Sequence, residues 1–286
     1  MNRILVLTLL ASCLGVSSSR SQPAPQVFAG RISDSICGAS HQGHDGLTAR
    51  QCVFTCLKAL AKWVLVDENN RVFAIANYDL PGLPLYAGRP VRLTGELKDG
   101  AILASKVEAY PPHLHILHLM TNWRDTPGGV GFLIAAISDA RVAGIHANLA
   151  AKGIDNLDEM KLHAGHTLHA LDPGVEPKGP GSGYGVKKAS AGAQQHLGFA
   201  AKAEGASDNV QTHATDVAVS IDHTLRATDE AIALAQRIRA ATTPADAAPL
   251  VQDLHTLTVS IADGLAQAQT RMVLMMKGEG IESAPR

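Results

Sequence analysis

The chain has 286 residues, 46% of them hydrophobic, and its 25 Lys and Arg against 26 Asp and Glu leave a formal net charge of −1. That length buries a sizeable core and points to two domains. The near-neutral charge excludes a field that would recruit nucleic acid or an acidic membrane, and an aromatic content of 4% excludes base-stacking platforms.

Residues 1–22 begin MNRILVLTLLASCLGVSSS: one early arginine, a short apolar core, then small residues. This is the pattern of a secretory signal, too short to span a bilayer. Leu10-Ala11-Ser12-Cys13 has the form of a lipobox, which would place a lipid on Cys13; cleavage between Ser17 and Gln22 is the alternative. Either route makes the protein periplasmic or lipid-anchored in the cell envelope, with a membrane met only through that anchor.

Residues 23–110 form the expected first domain. After a short tether at 23–26, five runs are rich in β-branched and aromatic residues: VFAGRIS, AKWVLVD, RVFAIAN, PVRLTGEL and AILASKVEA. Turns such as Asp67-Glu68-Asn69-Asn70 and Lys98-Asp99-Gly100 bound them. Five short strands in about 85 residues predict a small closed or nearly closed barrel.

Between the first two runs stand Cys37, His41, Cys52 and Cys56, a C-x-x-x-H and then, ten residues on, a C-x-x-x-C. Three sulfurs and one imidazole make a complete tetrahedral zinc set, and the soft sulfurs suit Cu(I) equally. In an oxidising compartment, one disulfide with a leftover thiol, or redox exchange, are the competing readings. A helix over 52–56 would put both cysteines on one face, and His44 is a spare ligand.

Residues 111–128 read as a linker. In PPHLHILHLM, alternation places His113 and His115 on one side of an extended chain. From 129 to 286 alanine dominates, and helical periodicity predicts about five helices, at about 129–152, 156–171, 186–204, 208–241 and 246–277. Pro127 and Pro249 sit near helix starts, and Asp172-Pro173-Gly174 stops the second helix. The stripe Leu250, Leu254, Leu257, Ile261, Leu265, Ala268, Met272 and Met275 is a bundle core. The loop PGVEPKGPGSGYG at 173–185 reads as a loose surface connection. The fold class is thus α+β, a five-stranded barrel followed by an all-α bundle.

Eleven of the thirteen histidines lie beyond residue 110, so their facing decides the functional reading. At about 100° per residue, Leu157, Met160, Ala164, Leu168 and Leu171 form one stripe. His163, His166 and His169 fall on the opposite side, with Glu159 projecting between the first two. His196 flanks the stripe of its own helix, His213 borders another, and His146 shares a face with Asp139, Ala143 and Ala150. His146, His163, His166, His196 and His213, with Glu159, are therefore expected to converge. Such ligands from facing helices suit zinc, copper, nickel or iron, or non-covalent haem. A polar network or a wet outer face would use the same residues with no ligand.

The run Gly30-Arg31-Ile32-Ser33-Asp34-Ser35-Ile36-Cys37-Gly38-Ala39-Ser40-His41, the pair Cys52 and Cys56, and Val91-Arg92-Leu93-Thr94-Gly95-Glu96-Leu97 resemble small exported OB-like barrel domains of bacteria, particularly acidobacteria. The resemblance implies an OB-like fold and an exported location, not a reaction. The helical half is similar to a group of exported bacterial proteins through His118-Leu119-Met120, Asp125-Thr126-Pro127-Gly128-Gly129, Met160-Lys161-Leu162-His163-Ala164-Gly165-His166, Gly179-Pro180-Gly181-Ser182-Gly183-Tyr184-Gly185 and Val210-Gln211-Thr212-His213-Ala214. That resemblance implies no activity.

Two functions compete: an exported protein whose bundle binds a metal or haem, and a non-catalytic envelope module whose barrel binds a protein or glycan. The sequence has no G-x-S-x-G, H-E-x-x-H, P-loop or dinucleotide fingerprint, so an enzyme is not the expected reading.

Overall fold

A computed structural model describes residues 25–40 and 46–281. The expected signal segment, Cys13, His41 and His44 lie outside the described residues. Strands β1 (Gln26–Asp34), β2 (Trp63–Val66), β3 (Val72–Ile75), β4 (Pro90–Lys98) and β5 (Ala101–Ala109) fall on the five predicted runs. β1 pairs antiparallel with both β2 and β4, β2 with β3, and β4 with β5, whereas β3 and β5 are parallel. The order β1-β2-β3-β5-β4 thus returns to β1, and the sheet closes.

Period-two alternation explains the filling. Along β4, Val91 and Leu93 point inward and are fully buried, meeting Ile32, Leu65 and Ile102. Gly95 sits at a register shift between β4 and β5, where an added Cβ would come 2.4 Å from the Leu103 carbonyl oxygen. Only glycine allows that approach.

A helix the strand pattern did not reveal, α1 (Ala49–Lys58), lies between β1 and β2. Thr48 and Gln51 form a reciprocal capping box at its start, and its Val53 enters the barrel core.

The helical half contains α2 (Pro111–Met120), α3 (Phe132–Lys152), α4 (Leu157–Leu171), α5 (Val186–Lys202), α6 (Asp208–Ala240) and α7 (Pro244–Gly278). The last five match the predicted helices closely. With α2 the bundle has six helices rather than five, and with α1 the described residues contain seven α-helices. α7 starts at Pro244 behind a Thr243 cap, so Pro249 lies inside the helix.

α2 corrects the extended reading of the linker. Pro111 and Pro112 occupy its first two positions, where a missing N–H costs nothing. A helix turns His113 and His115 apart and brings His115 and His118 onto one side.

On α3, Ala136, Ala140, Ala143, Ala147 and Ala150 are buried at alternating spacings of four and three. This smooth seam lets neighbouring helices approach closely. The expected α7 stripe is the core: Leu254, Ile261, Leu265, Ala268, Met272 and Met275 are buried, with Leu250 and Leu257 partly so.

The loop at 173–185 is pinned rather than loose. Buried Asp139 of α3 accepts hydrogen bonds from Ser182 N (2.8 Å), Ser182 Oγ (2.6 Å) and Gly185 N (2.8 Å). The loop buries His169, whose Nδ1 lies 2.8 Å from the Glu176 carbonyl oxygen.

Barrel and bundle meet through an Arg92–Glu204 ion pair of 3.0 Å and a hydrogen bond from the Tyr110 hydroxyl to the Gly205 carbonyl. No helix of the described residues is long and apolar enough to cross a membrane.

Candidate metal centres

Residues three apart on a helix stand about 60° apart on one side. His163 and His166 of α4 use that spacing, and the alanine seam of α3 brings His146 to them. The Nδ1 atoms of His146 and His163 are 3.1 Å apart, and the rings of His146 and His166 lie 4.7 Å centre to centre. All three side chains are half-buried, and Nδ1 of His166 is buried with no hydrogen-bond partner. One donor atom from each lies within 4.8 Å of the others.

The same plan recurs at the other end of α3. His115 and His118, three apart on α2, meet His196 of α5, with Nδ1 to Nδ1 distances of 3.1 and 3.2 Å. His196 is 7% exposed. Trp123, Phe132 and Phe199 wall the group, with ring centres 4.8, 5.2 and 5.6 Å from that of His196. Phe132 begins α3 and His146 lies fourteen residues on. At about 1.5 Å per residue the two groups are roughly 20 Å apart, too far to share an ion.

Burial lowers the pKa of His146 and His166, and neighbouring imidazoles lower both further. Burial likewise lowers His115 and His118. His196, buried against His118 and His115, is pushed down to about 4. These rings are neutral at neutral pH and keep a lone pair. Three imidazoles meeting at one point cannot all pair through protons, because a neutral ring contributes at most one N–H and one lone pair and a charged ring no lone pair at all. A cation satisfies all three at once. Donors about 2.0–2.1 Å from a metal lie about 2.9 Å apart at right angles and about 3.4 Å apart in a tetrahedron. The observed 3.1–3.2 Å falls between. Each group has three protein donors, which leaves a position for water or another ligand.

A third constellation sits at the end of the barrel. Cys37 Sγ is 3.5 Å from both Cys52 Sγ and Cys56 Sγ, and no disulfide joins the three. Among the described residues Asp34 joins the group; the expected His41 lies outside them. Burial raises the pKa of all three thiols, that of Cys56 to about 11, and the Asp34 charge adds to the rise.

The structure divides the single convergence expected from sequence. His146, His163 and His166 meet, but His196 belongs to the second group. Glu159 is exposed and folds back on the α3–α4 turn, where its Oε2 would touch a Cβ at Gly153. An acidic residue in the first turn of a helix is stabilised there by the helix dipole, without a metal. His213 stands in neither group; its Nδ1 is buried without a hydrogen-bond partner.

Sequence reasoning paired His115 with His113 in an extended segment and left out His118 and Asp34 as donors. The double proline opening α2 was the available signal for His115 and His118. For Asp34 the sequence offered only nearness to Cys37.

Compared with protein-family models, with curated proteins and with solved structures, the chain matches none.

Proposed function

We propose that this is an exported cell-envelope protein whose helical bundle holds two transition-metal ions, one in each three-histidine group. One observation carries the reading: six imidazoles from four helices gather in two separate sets at the spacing of ligands around a single ion. The leader-like residues 1–22 support export. Neutral nitrogen donors suit zinc, copper(II), nickel and iron(II). Nitrogens converging on a point, rather than flanking a plane, favour a bare ion over haem.

The strand order β1-β2-β3-β5-β4 supports the OB-like reading of the barrel, with α1 inserted after β1 as a departure. The alternative of a metal-free envelope module, an OB-like barrel on a helical spacer, is decided by the same experiment. Elemental analysis and zinc or copper calorimetry on the full chain should show one equivalent lost in H163A/H166A and a different one in H115A/H118A. Equal metal content in wild type and both variants, or no saturable binding, removes the metal reading.

A further inference from the structure

The thiol group in the barrel is built differently from the bundle groups and stands apart from their reading. β1 ends at Asp34, which is fully buried. Asp34 Oδ1 accepts hydrogen bonds from Ile36 N at 3.0 Å and Cys37 N at 2.8 Å. Gly38, at φ +55°, donates its N–H back to the Asp34 carbonyl at 2.8 Å and so closes the turn. That turn sets Cys37 Sγ against α1, where Cys52 and Cys56 are four apart on one face. The capping box of Thr48 and Gln51 fixes the start of the helix that carries them.

One atom is left over. Asp34 Oδ2 is buried and makes no hydrogen bond of good geometry among the described residues, although the Cys56 thiol interacts with the carboxylate. A buried carboxylate oxygen without a well-aligned donor is costly, and such an atom calls for an explanation. One oxygen of Asp34 lies with the three sulfurs inside a 4.8 Å span. Arg31 reaches the same turn, donating from Nη2 to the Ala39 carbonyl at 3.0 Å.

We infer that Asp34, Cys37, Cys52 and Cys56 form a closed zinc site that clamps α1 to the end of β1. Sulfurs about 2.3 Å from zinc lie about 3.8 Å apart in a tetrahedron, close to the observed 3.5 Å. Four protein donors fill the coordination sphere, the mark of a structural rather than a catalytic site. On binding, Zn²⁺ takes three thiolates and one carboxylate, and three protons leave to solvent. A disulfide uses Cys37 with only one of its two equidistant neighbours and leaves Asp34 Oδ2 as it was. Copper(I) takes the sulfurs but is a poor partner for a hard carboxylate. An iron–sulfur cluster needs its cysteines spread around a larger core than 3.5 Å allows.

The test uses the full chain isolated without added reductant. Cobalt(II) replacing zinc should give an intense thiolate-to-cobalt charge-transfer band, together with the visible bands of a tetrahedral ion. The bundle groups offer nitrogen alone and cannot produce the thiolate band, so this result stands or falls independently of the proposed function. The double variant C52S/C56S should lose that band and one zinc equivalent, leaving the bundle metal in place. Asp34→Asn keeps Oδ1 as an acceptor for the turn but removes the anionic ligand. It should weaken zinc by more than the roughly 10–100-fold that losing an outer hydrogen-bond partner costs. If the serine variant fails to fold, the wild-type cobalt spectrum and Asp34→Asn decide alone. A wild-type protein with no thiolate band, whose mass map shows Cys37 disulfide-bonded, overturns the inference. Unchanged zinc affinity in Asp34→Asn overturns it too.

Discussion

The barrel and the bundle place metal-binding atoms by opposite means. In the bundle each group is a pair of histidines three apart on one helix, completed by a third from a neighbour. The imidazoles are half-buried apart from the buried His196, and each set of three would leave a coordination position free. In the barrel the donors come from a strand-end turn and a short inserted helix. They are three thiols and a carboxylate, buried except for half-buried Cys37, and they would fill all four positions around a zinc ion. The difference teaches how each region would depend on an ion. Neutral imidazoles rest in a bundle whose alanine and leucine core stands without them. In the much smaller barrel core, burial keeps the three thiols protonated, and a cation that drew off those protons would tie α1 to the end of β1.

The largest effect should separate the two regions outright. Structural zinc sites contribute about 10–16 kcal/mol to small domains at neutral pH. A strong chelator should therefore make the barrel protease-sensitive and abolish its strand signal, while α3 to α7 stay protected from hydrogen exchange. Loss of protection in the bundle with an intact barrel would reverse the comparison.

Acid should also weaken the bundle itself, through a contact that needs no metal. Burial alone would raise the pKa of Glu279, but hydrogen bonds from His113, Ser207 and Asn209 outweigh it and hold the carboxyl down at about 2. A lowered carboxyl pKa stabilises the fold above the ordinary value of 4.5, and that stability is lost as pH falls from 4.5 through about 2. The loss should be roughly 3 kcal/mol in the bundle. Urea unfolding at successive pH values should show this slope in the wild type and not in E279Q.

A packing change tests whether the alanine seam positions the α3–α4 group. Ala143 is 1% exposed on the face that α4 covers, and Thr167 Oγ of α4 reaches its carbonyl at 3.4 Å. Ala143→Leu should cost about 1–3 kcal/mol by overpacking. It should also release one bundle metal equivalent and spare the α2–α5 group, as read by elemental analysis.

The smallest effect belongs to the barrel. Thr48→Ala removes the cap of α1 and should cost about 1 kcal/mol. It should also speed zinc loss to a chelator, because a frayed α1 start loosens Cys52. Zinc release at the wild-type rate would separate the cap from the site.

Much of this was legible in the sequence wherever geometry is local. The five strands followed from runs of β-branched residues between turn residues, and α3 to α7 from apolar stripes such as Leu254–Ile261–Leu265. His163 and His166 were readable as neighbours because the helix turns at a known rate. Cys52 and Cys56 were readable in the same way once a helix was allowed there.

What the chain's order could not say is which elements touch. Backbone periodicity orients a side chain within its own element, but only packing decides what faces it. The α3 seam brings His146 to α4, while α5 carries His196 to α2 and away from the other imidazoles. Asp34 could be taken for an ordinary turn residue until the closed sheet and α1 enclosed it with three sulfurs. Tertiary structure decided these partnerships because burial and close approach are properties of two surfaces together, and one strand or helix specifies only its own.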